Sequence, residues 1–136
     1  MSHDLTSPQV IDGVIAIPMS VFVDGFGRNR HAQIGACSAD ELVQGLEDAH
    51  RLGWKHFVYL SHNFEMLKVN SLEVDWFVQA RFEHLCAYLS RNRDTYRTTT
   101  PAGLSCAFTG VCPPLPQTSR AATLRRHAEQ LARRVA

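Results

Sequence analysis

The sequence lacks a strong charge of either sign. Its 136 residues include 14 lysines and arginines against 13 aspartates and glutamates, so the formal net charge is +1. A charge this small gives no general electrostatic reason to expect nucleic acid or an anionic membrane surface as a partner. With 45% hydrophobic and 20% charged residues, the composition is that of an ordinary globular protein, and the length suits one hydrophobic core.

Long hydrophobic runs and targeting signals are missing as well. No apolar stretch is long enough to span a bilayer, and the first eight residues contain neither the basic region nor the apolar region of a secretory signal. We therefore expect a cytoplasmic protein with reduced thiols and no membrane partner.

The spacing of the cysteines matches no metal-binding or disulfide-rich framework. The four cysteines are Cys37, Cys86, Cys106 and Cys112, and none forms a Cys-x-x-Cys pair. Cys86 falls on the apolar face of a predicted helix and is expected in the core. Cys106 and Cys112 flank a glycine-containing loop, where a disulfide is expected only in an oxidising compartment.

The seven histidines do not form a metal-binding pattern either. There is no His-x-x-x-His sequence, and His56 and His62 are six residues apart on one predicted strand. Six strand residues separate two side chains by about 20 Å, too far to share an ion. We therefore predict no metal site and no cofactor within this chain.

Hydrophobic periodicity and turn residues outline the secondary structure. The predicted elements are an apolar run over 13–23 interrupted by Pro18, a helix from Ser38 to Gly53, a strand over 55–60, a helix over 74–90, a short strand over 96–100 and a final helix over 119–135. A helix followed closely by a buried strand is the unit that builds parallel sheets. The pattern predicts an α/β fold with a few parallel strands, two flanking helices and a C-terminal helix.

Local signals support the first and the last of these helices. Ser38 and Glu41 form a capping box, in which each side chain accepts a hydrogen bond from the backbone of the other residue. At the C-terminal end the chain is rich in arginine, with Arg125-Arg126 and Arg133-Arg134 on one amphipathic helix. We expect this basic helix to be solvated and peripheral, and RNA binding is a distant second interpretation.

His62 is the candidate catalytic residue. It follows the apolar run 55–60, and the carboxyl ends of buried strands are where α/β enzymes place their chemistry. Imidazole titrates near neutral pH and therefore suits a general acid or base, with Glu65 as a group that orients the ring. The competing interpretation is a hydrogen-bonded core histidine. Ser61 is no partner nucleophile, because adjacent strand residues point to opposite faces.

The charged loop before the first helix is a second candidate site. It contains Asp24, Arg28 and Arg30. A solvated loop is the competing interpretation, and it is favoured over a ligand-binding role.

Several of these residues together resemble the NodB-like polysaccharide deacetylases. The Leu60-Ser61-His62 segment after an apolar strand is similar to the late Leu-x-His motif of that family, and the order of the surrounding segments over residues 13 to 104 agrees. The resemblance implies a partial (β/α) barrel-like unit. It also implies that His62 is the acid that protonates the leaving amine and that Leu60 is an apolar wall beside the acetyl group.

The family's early motifs are missing from this chain. Its aspartate pair and its His-x-x-x-His sequence hold a divalent, zinc-like ion, and neither is present here. The resemblance therefore implies the C-terminal half of a carbohydrate de-N-acetylase, inactive or incomplete alone, with metal bound only when the missing half is present. The alternatives are a non-catalytic module that binds carbohydrate or a partner, and one half of a split enzyme.

The same comparison divides the chain into three parts. Residues 1–104 are the predicted deacetylase-like α/β domain, 105–118 a proline-rich connector, and 119–136 the basic amphipathic helix. The expected partners are an N-acetylated sugar and either a complementing chain or a second copy of this one. We predict no nucleic-acid partner.

Overall fold

The regular structure of the described residues consists of three α-helices, two short 3-10 helices and two small hairpins. A computed structural model describes residues 7–104 and 113–135 of the chain. Its strands are β1 (Gln9–Ile11), β2 (Val14–Ala16), β3 (Val21–Val23) and β4 (Asn29–His31), and its helices are α1 (Ala39–Arg51), α2 (Trp76–Arg91) and α3 (Arg120–Val135). None of the helices within these ranges is long and apolar enough to cross a membrane.

The predicted α/β fold with a partial (β/α) barrel of parallel strands is wrong. Strand β1 pairs antiparallel with β2, and β3 pairs antiparallel with β4, which makes the protein a small α+β fold. In the described ranges, parallel pairing is confined to two isolated bridges, Gln33 with Leu60 and Val23 with Gln117.

The apolar run over residues 55–60, which was predicted to be a buried strand, does not add a strand to either hairpin. Residues 55–60 are extended, but only Leu60 joins a bridge. The backbone N–H of Val58 donates to the hydroxyl of Ser20 at 2.7 Å, so a side chain takes the place that a neighbouring strand's carbonyl would occupy in a ladder. Residues 96–100, the other predicted strand, are also not a strand.

The predicted ends of the first helix are confirmed. Ser38 caps α1, its hydroxyl accepts from the Glu41 N–H, and the Glu41 carboxylate accepts in return from the Ser38 N–H at 3.0 Å. Gly53 follows the helix with a φ of 81°, the left-handed conformation that glycine adopts most easily. The helix therefore ends just before Gly53, as the sequence predicts.

The second helix is confirmed, but its predicted apolar face is only partly buried, and Phe82 and Cys86 on that face are exposed. Asp75 caps α2 by accepting hydrogen bonds from the N–H groups of Phe77 and Val78. Val78 and Leu85 are in the core, whereas Cys86 is exposed, so its assignment to the core is wrong. Cys106 and Cys112 lie outside the described residues.

One hydrophobic cluster lies where the β3–β4 hairpin, α1 and α2 meet. Its buried members are Phe22, Ala32, Ile34, Cys37, Leu42, Val78 and Leu85, and partly buried Phe57, Tyr59, Met66 and Leu89 pack against it. The 55–60 segment thus contributes apolar side chains to the core although it forms no strand of its own. Burial of this apolar surface is the main force that holds hairpin and helices together.

The C-terminal helix docks on the body of the protein, contrary to the expectation of a solvated, peripheral helix. Ala122, Thr123 and Arg126 are buried. The Arg126 guanidinium contacts two buried carboxylates, at 2.9 Å from Asp24 and 3.0 Å from Glu41. A buried cation needs such partners, and both lie in the N-terminal part of the chain.

The described part of the proline-rich segment is tied to the body by hydrogen bonds. The Val23 N–H donates to the Pro116 carbonyl at 2.8 Å, and the Trp54 indole N–H donates to the Pro114 carbonyl at 3.0 Å. Through the hydrogen bond with Val23, the segment runs beside β3 and then continues into α3. The three-part division of the chain stays a prediction.

Candidate functional site

His62 stands where the extended segment turns into a short 3-10 helix, Asn63–Met66. Its side chain is 44% exposed, so it is not the core histidine of the competing interpretation. The ring Nδ1 lies 3.2 Å from the Oε1 atom of Glu65. With Nδ1–H donating to the carboxylate, Nε2 is the ring nitrogen left to exchange a proton with a ligand.

Glu65 is also held in place by a second hydrogen bond. The side-chain amide of Gln33 donates a short hydrogen bond to Glu65 Oε1, and the Glu65 side chain is only 13% exposed. A methyl group added at Gly35 would lie 3.0 Å from Glu65 Oε2, so glycine leaves the carboxylate just enough room. The His62–Glu65 pair is therefore oriented by groups from a distant part of the chain.

The Glu65 carboxyl has a lowered pKa. Burial by itself raises this pKa, but the hydrogen bonds that the carboxylate accepts from Gln33 and His62 outweigh the burial and hold the pKa below its ordinary value. Glu65 is consequently ionised at neutral pH. It is then able to stabilise a positively charged imidazolium at His62.

An open cavity of about 710 Å³ adjoins Glu65, and His62 is not itself among the residues of its wall. Glu65 and Phe64 lie in its wall, and the Phe64 ring stacks on the His62 ring with centroids 4.9 Å apart and planes inclined by 22°. The wall is lined by Gln33, Gly35, Ala36, Phe64, Glu65, Leu67, Lys68, Val69, Asn70, Ser71, Leu72 and Arg133. It combines apolar side chains with a few polar groups, as small-molecule sites commonly do.

Two arginines connect the cavity wall with α3. Arg81 donates to the Gly35 carbonyl at 3.2 Å and pairs with Glu129 of α3 at 2.7 Å. Arg133, which lies in the wall, pairs with Asp75 at 2.6 Å. Since the Gly35 backbone borders Glu65, the position of α3 affects the geometry around His62.

Leu60 lies close to the site through its backbone. Its N–H donates to the Ala32 carbonyl at 2.9 Å, and its carbonyl accepts from the Ile34 N–H at 3.0 Å. These bonds hold Leu60 against the segment that contains Gln33. His62 follows Leu60 by two residues. The Leu60 side chain is not in the cavity wall, and its role beside an acetyl group stays a prediction.

The sequence pointed to His62 and Glu65 but not to their surroundings. Glu65 was recognisable because it follows His62 at the spacing of a capping box. Gln33 and Gly35 lie about thirty residues upstream in a turn, and no local pattern connects them with His62. Phe64 was visible only as part of the segment after the histidine.

No metal centre is formed by the part of the chain that the structure describes. Within 7–104 and 113–135, no three histidine, cysteine, aspartate or glutamate side chains are arranged to hold an ion. The other charged cluster, around Asp24, Arg28 and Arg30, borders a separate small cavity. It shares none of its lining residues with the cavity beside Glu65.

Replacing Glu65 with glutamine tests the pair through the pH dependence of stability. A lowered folded-state pKa means that ionised Glu65 stabilises the fold at pH values above its unfolded pKa, and that this contribution is lost as pH falls through the folded pKa. We expect Glu65→Gln to lower the free energy of unfolding at pH 7 by about 1 kcal/mol. As pH falls through the folded pKa of Glu65, we expect the difference between the two proteins to shrink and then vanish.

Urea denaturation at several pH values measures this effect. Glu73→Gln is the matched control, because the Glu73 side chain is 74% exposed and its contact with Lys68 is long, at 3.6 Å. The control should change stability by only a few tenths of a kcal/mol at any pH. Equal pH profiles for the two variants would contradict the proposed role of Glu65.

Comparison with known proteins adds no relative. No protein-family model matches the chain, and no curated protein or solved structure is significantly similar to it. The function therefore has to be inferred from the chemistry of the residues themselves.

Proposed function

We propose that this chain provides the general-acid half of a cytoplasmic hydrolase site that removes the acetyl group from an N-acetylated sugar. The observation that carries the proposal is the His62–Glu65 pair, with Nδ1 on the carboxylate and the ring stacked on Phe64 beside an open cavity. The resemblance of Leu60-Ser61-His62 to the late motif of polysaccharide deacetylases agrees with it.

The reaction assigns one proton transfer to His62. Water adds to the acetyl carbonyl carbon, and the resulting tetrahedral centre breaks its C–N bond. The departing nitrogen takes a proton from His62 Nε2, and a base on the complementing chain takes one proton of the attacking water, which leaves acetic acid, a free amine and a neutral imidazole. The Glu65 carboxylate accepts from Nδ1, so Nε2 is the ring nitrogen that gives the proton.

The cavity suits the two ends of such a substrate. Leu67, Val69 and Leu72 offer apolar surface to an acetyl methyl group. Phe64 is 65% exposed and presents a ring face that a sugar can stack on. Polar groups of Asn70 and Ser71 are available to sugar hydroxyls in the same wall.

Activation of the attacking water is assigned to a second polypeptide. The deacetylases that the sequence resembles use a divalent ion for this purpose, and the described residues offer no ligand set for one. A complementing chain that brings those ligands makes this protein one half of a split enzyme. We accordingly expect no release of acetate in water by this chain alone.

A non-catalytic sugar-binding module is the second candidate. It is favoured by Phe64, whose exposed ring is usable for stacking with or without proton transfer. Of the other large aromatic residues, Trp54 is buried and Tyr59 donates its hydroxyl to the Leu42 carbonyl at 3.0 Å, so both serve the core. Trp76 is 69% exposed and stays a candidate.

Hydroxylamine offers a direct test, because it is a strong nucleophile that does not need activation by a metal. With chitotetraose as substrate, attack by hydroxylamine yields acetohydroxamate and a free amine, and the leaving amine still requires a proton. We expect the chain to accelerate formation of acetohydroxamate by about 100-fold over buffer. We expect His62→Gln to abolish the acceleration.

His84→Gln is the matched control, since His84 is an exposed histidine of α2 and lies on a different element from His62, Phe64 and Glu65. It should keep the full rate. Equal rates for the chain, His62→Gln and buffer would refute the general-acid role. If chitotetraose still perturbed the amide signals of Phe64 and Leu72 in that case, the binding-module function would be the correct one.

A further inference from the structure

A second, smaller cavity lies between the β3–β4 hairpin and α3. It has a volume of about 180 Å³ and is lined by Asp24, Phe26, Arg28, Arg30, Arg126 and His127. Three of these six side chains are guanidinium groups and a fourth is an imidazole. Neither the deacetylase resemblance nor the His62 site assigns a role to this cluster.

The hairpin turn is built so that two arginines face the cavity. The Asp24 carboxylate accepts from the N–H groups of Phe26 and Arg28 at 3.0 and 3.1 Å, which fixes the turn between β3 and β4. Arg28 comes directly before β4 and Arg30 is the middle residue of that strand, and the side chains of both line the cavity. The turn is therefore a rigid support for two cationic groups.

The charges in this cavity do not cancel. Asp24 has both oxygens occupied, because the second accepts from Arg126 at 2.9 Å, and Arg126 in turn also pairs with Glu41. Arg28 and Arg30 form no ion pair with any described residue, and the only side-chain bond of Arg30 is a long one of 3.5 Å to the Ala36 carbonyl. Two guanidinium groups are thus left with unused donors beside a small cavity.

We propose that this cavity binds the phosphate group of a small phosphorylated ligand. Guanidinium groups present paired N–H donors that match phosphate oxygens, and two of them balance the charge of a phosphate monoester. Phe26 and His127, whose ring centroids are 6.3 Å apart, border the opening and offer apolar contact to the organic part of the ligand. The proposal is independent of the function assigned to His62.

The geometry favours a small phosphorylated molecule over a nucleic acid. Nucleic-acid surfaces carry basic residues along an extended stripe, whereas here the two free arginines converge on one small cavity. The net charge of +1 also provides no wide positive field. A single phosphate with a compact apolar substituent matches these features best.

Phenyl phosphate and inorganic phosphate are suitable probes for this site. In the full chain with 15N-labelled arginine, we expect phenyl phosphate to shift the Nε–Hε signals of Arg28 and Arg30 in a saturable way at constant ionic strength. Arg28→Met and Arg30→Met should each raise the Kd at least about tenfold, the effect of one lost charged contact. Phe26→Ala should weaken phenyl phosphate more than inorganic phosphate.

Arg97→Met is the control, because Arg97 is an exposed arginine outside the cavity wall. It should leave the Kd unchanged. The proposal is overturned by shifts that chloride reproduces at the same ionic strength, or by equal Kd values for Arg28→Met, Arg30→Met and Arg97→Met. Binding of single-stranded RNA without any saturable response to either phosphate probe would overturn it as well.

Discussion

Replacing Gly25 with alanine is expected to destabilise the protein by about 3 kcal/mol or more, the cost of forcing extra volume into a close-packed contact. Gly25 lies directly against the first turn of α3. A Cβ atom at this position would lie 2.7 Å from the Ser119 carbonyl oxygen and would also overlap the Arg120 backbone. Backbone atoms have no alternative rotamer, so the helix has to move away.

The displacement would also break the hydrogen bond that the Gly25 N–H donates to the Thr123 hydroxyl at 2.9 Å. Because α3 carries Arg126, Glu129 and Arg133, the loss of this contact weakens the ion pairs that join the helix to the body. Urea denaturation followed by circular dichroism measures the change in the free energy of unfolding.

Gly27→Ala provides the control within the same turn. Gly27 has a φ of 80°, and a Cβ atom there would have nothing within 4 Å. Alanine at this position should cost only about 1 kcal/mol, for a left-handed conformation that a side chain disfavours. Equal destabilisation by the two substitutions would show that α3 does not pack against Gly25.

Replacing Arg126 with methionine is the second substitution with a large expected effect, a loss of about 3 to 5 kcal/mol. The side chains of Arg126, Asp24 and Glu41 are 5% exposed or less. Removing the guanidinium leaves two carboxylates buried without a cation between them, and methionine keeps the volume of the side chain. Thermal and urea denaturation at pH 7 measure the loss.

Arg125→Met is the matched control, because Arg125 is adjacent on α3 but its side chain is 57% exposed in its pairs with Asp40 and Glu129. Exposed pairs contribute less than about 1 kcal/mol. A combined Asp24→Asn, Glu41→Gln and Arg126→Met variant should recover part of the lost stability, since the buried charges disappear together. If Arg126→Met were as mild as Arg125→Met, the helix would not depend on this buried pair.

Acidification should also weaken the attachment of α3 in the unmodified protein. Burial raises the pKa of the Asp24 carboxyl, but hydrogen bonds from the Arg28 and Phe26 backbone and the charge of Arg126 outweigh it and hold the pKa below its ordinary value. Ionised Asp24 therefore stabilises the fold above its unfolded pKa, and this stabilisation is lost as pH falls through the lower folded value.

The helices were predictable because their signals are local. Ser38 and Glu41 are three residues apart, and their reciprocal hydrogen bonds form whenever the chain turns there. The same spacing relates His62 to Glu65, so this pair was also visible in the sequence. Interactions of this kind depend little on the rest of the fold.

The pairing of strands was not predictable from the same patterns. The apolar composition of residues 55–60 indicates burial. It does not indicate whether the segment is buried as a paired strand or as an unpaired segment that packs against the core. The hydroxyl of Ser20, 38 residues away, takes the Val58 N–H and helps to settle that question. The barrel prediction came from the deacetylase resemblance, and the observed antiparallel pairing of the strands contradicts it.

By itself, the sequence determined three helices, the cap and the stop of the first one, the absence of strong net charge and the position of a histidine beside a carboxylate. Tertiary contacts determined that Gln33 orients Glu65 and that Arg126 is buried between Asp24 and Glu41. The physical reason is separation along the chain. Partners that lie 32 to 102 residues apart meet only after the core has formed. Neither the composition nor the periodicity of the sequence indicates which side chains the core brings together.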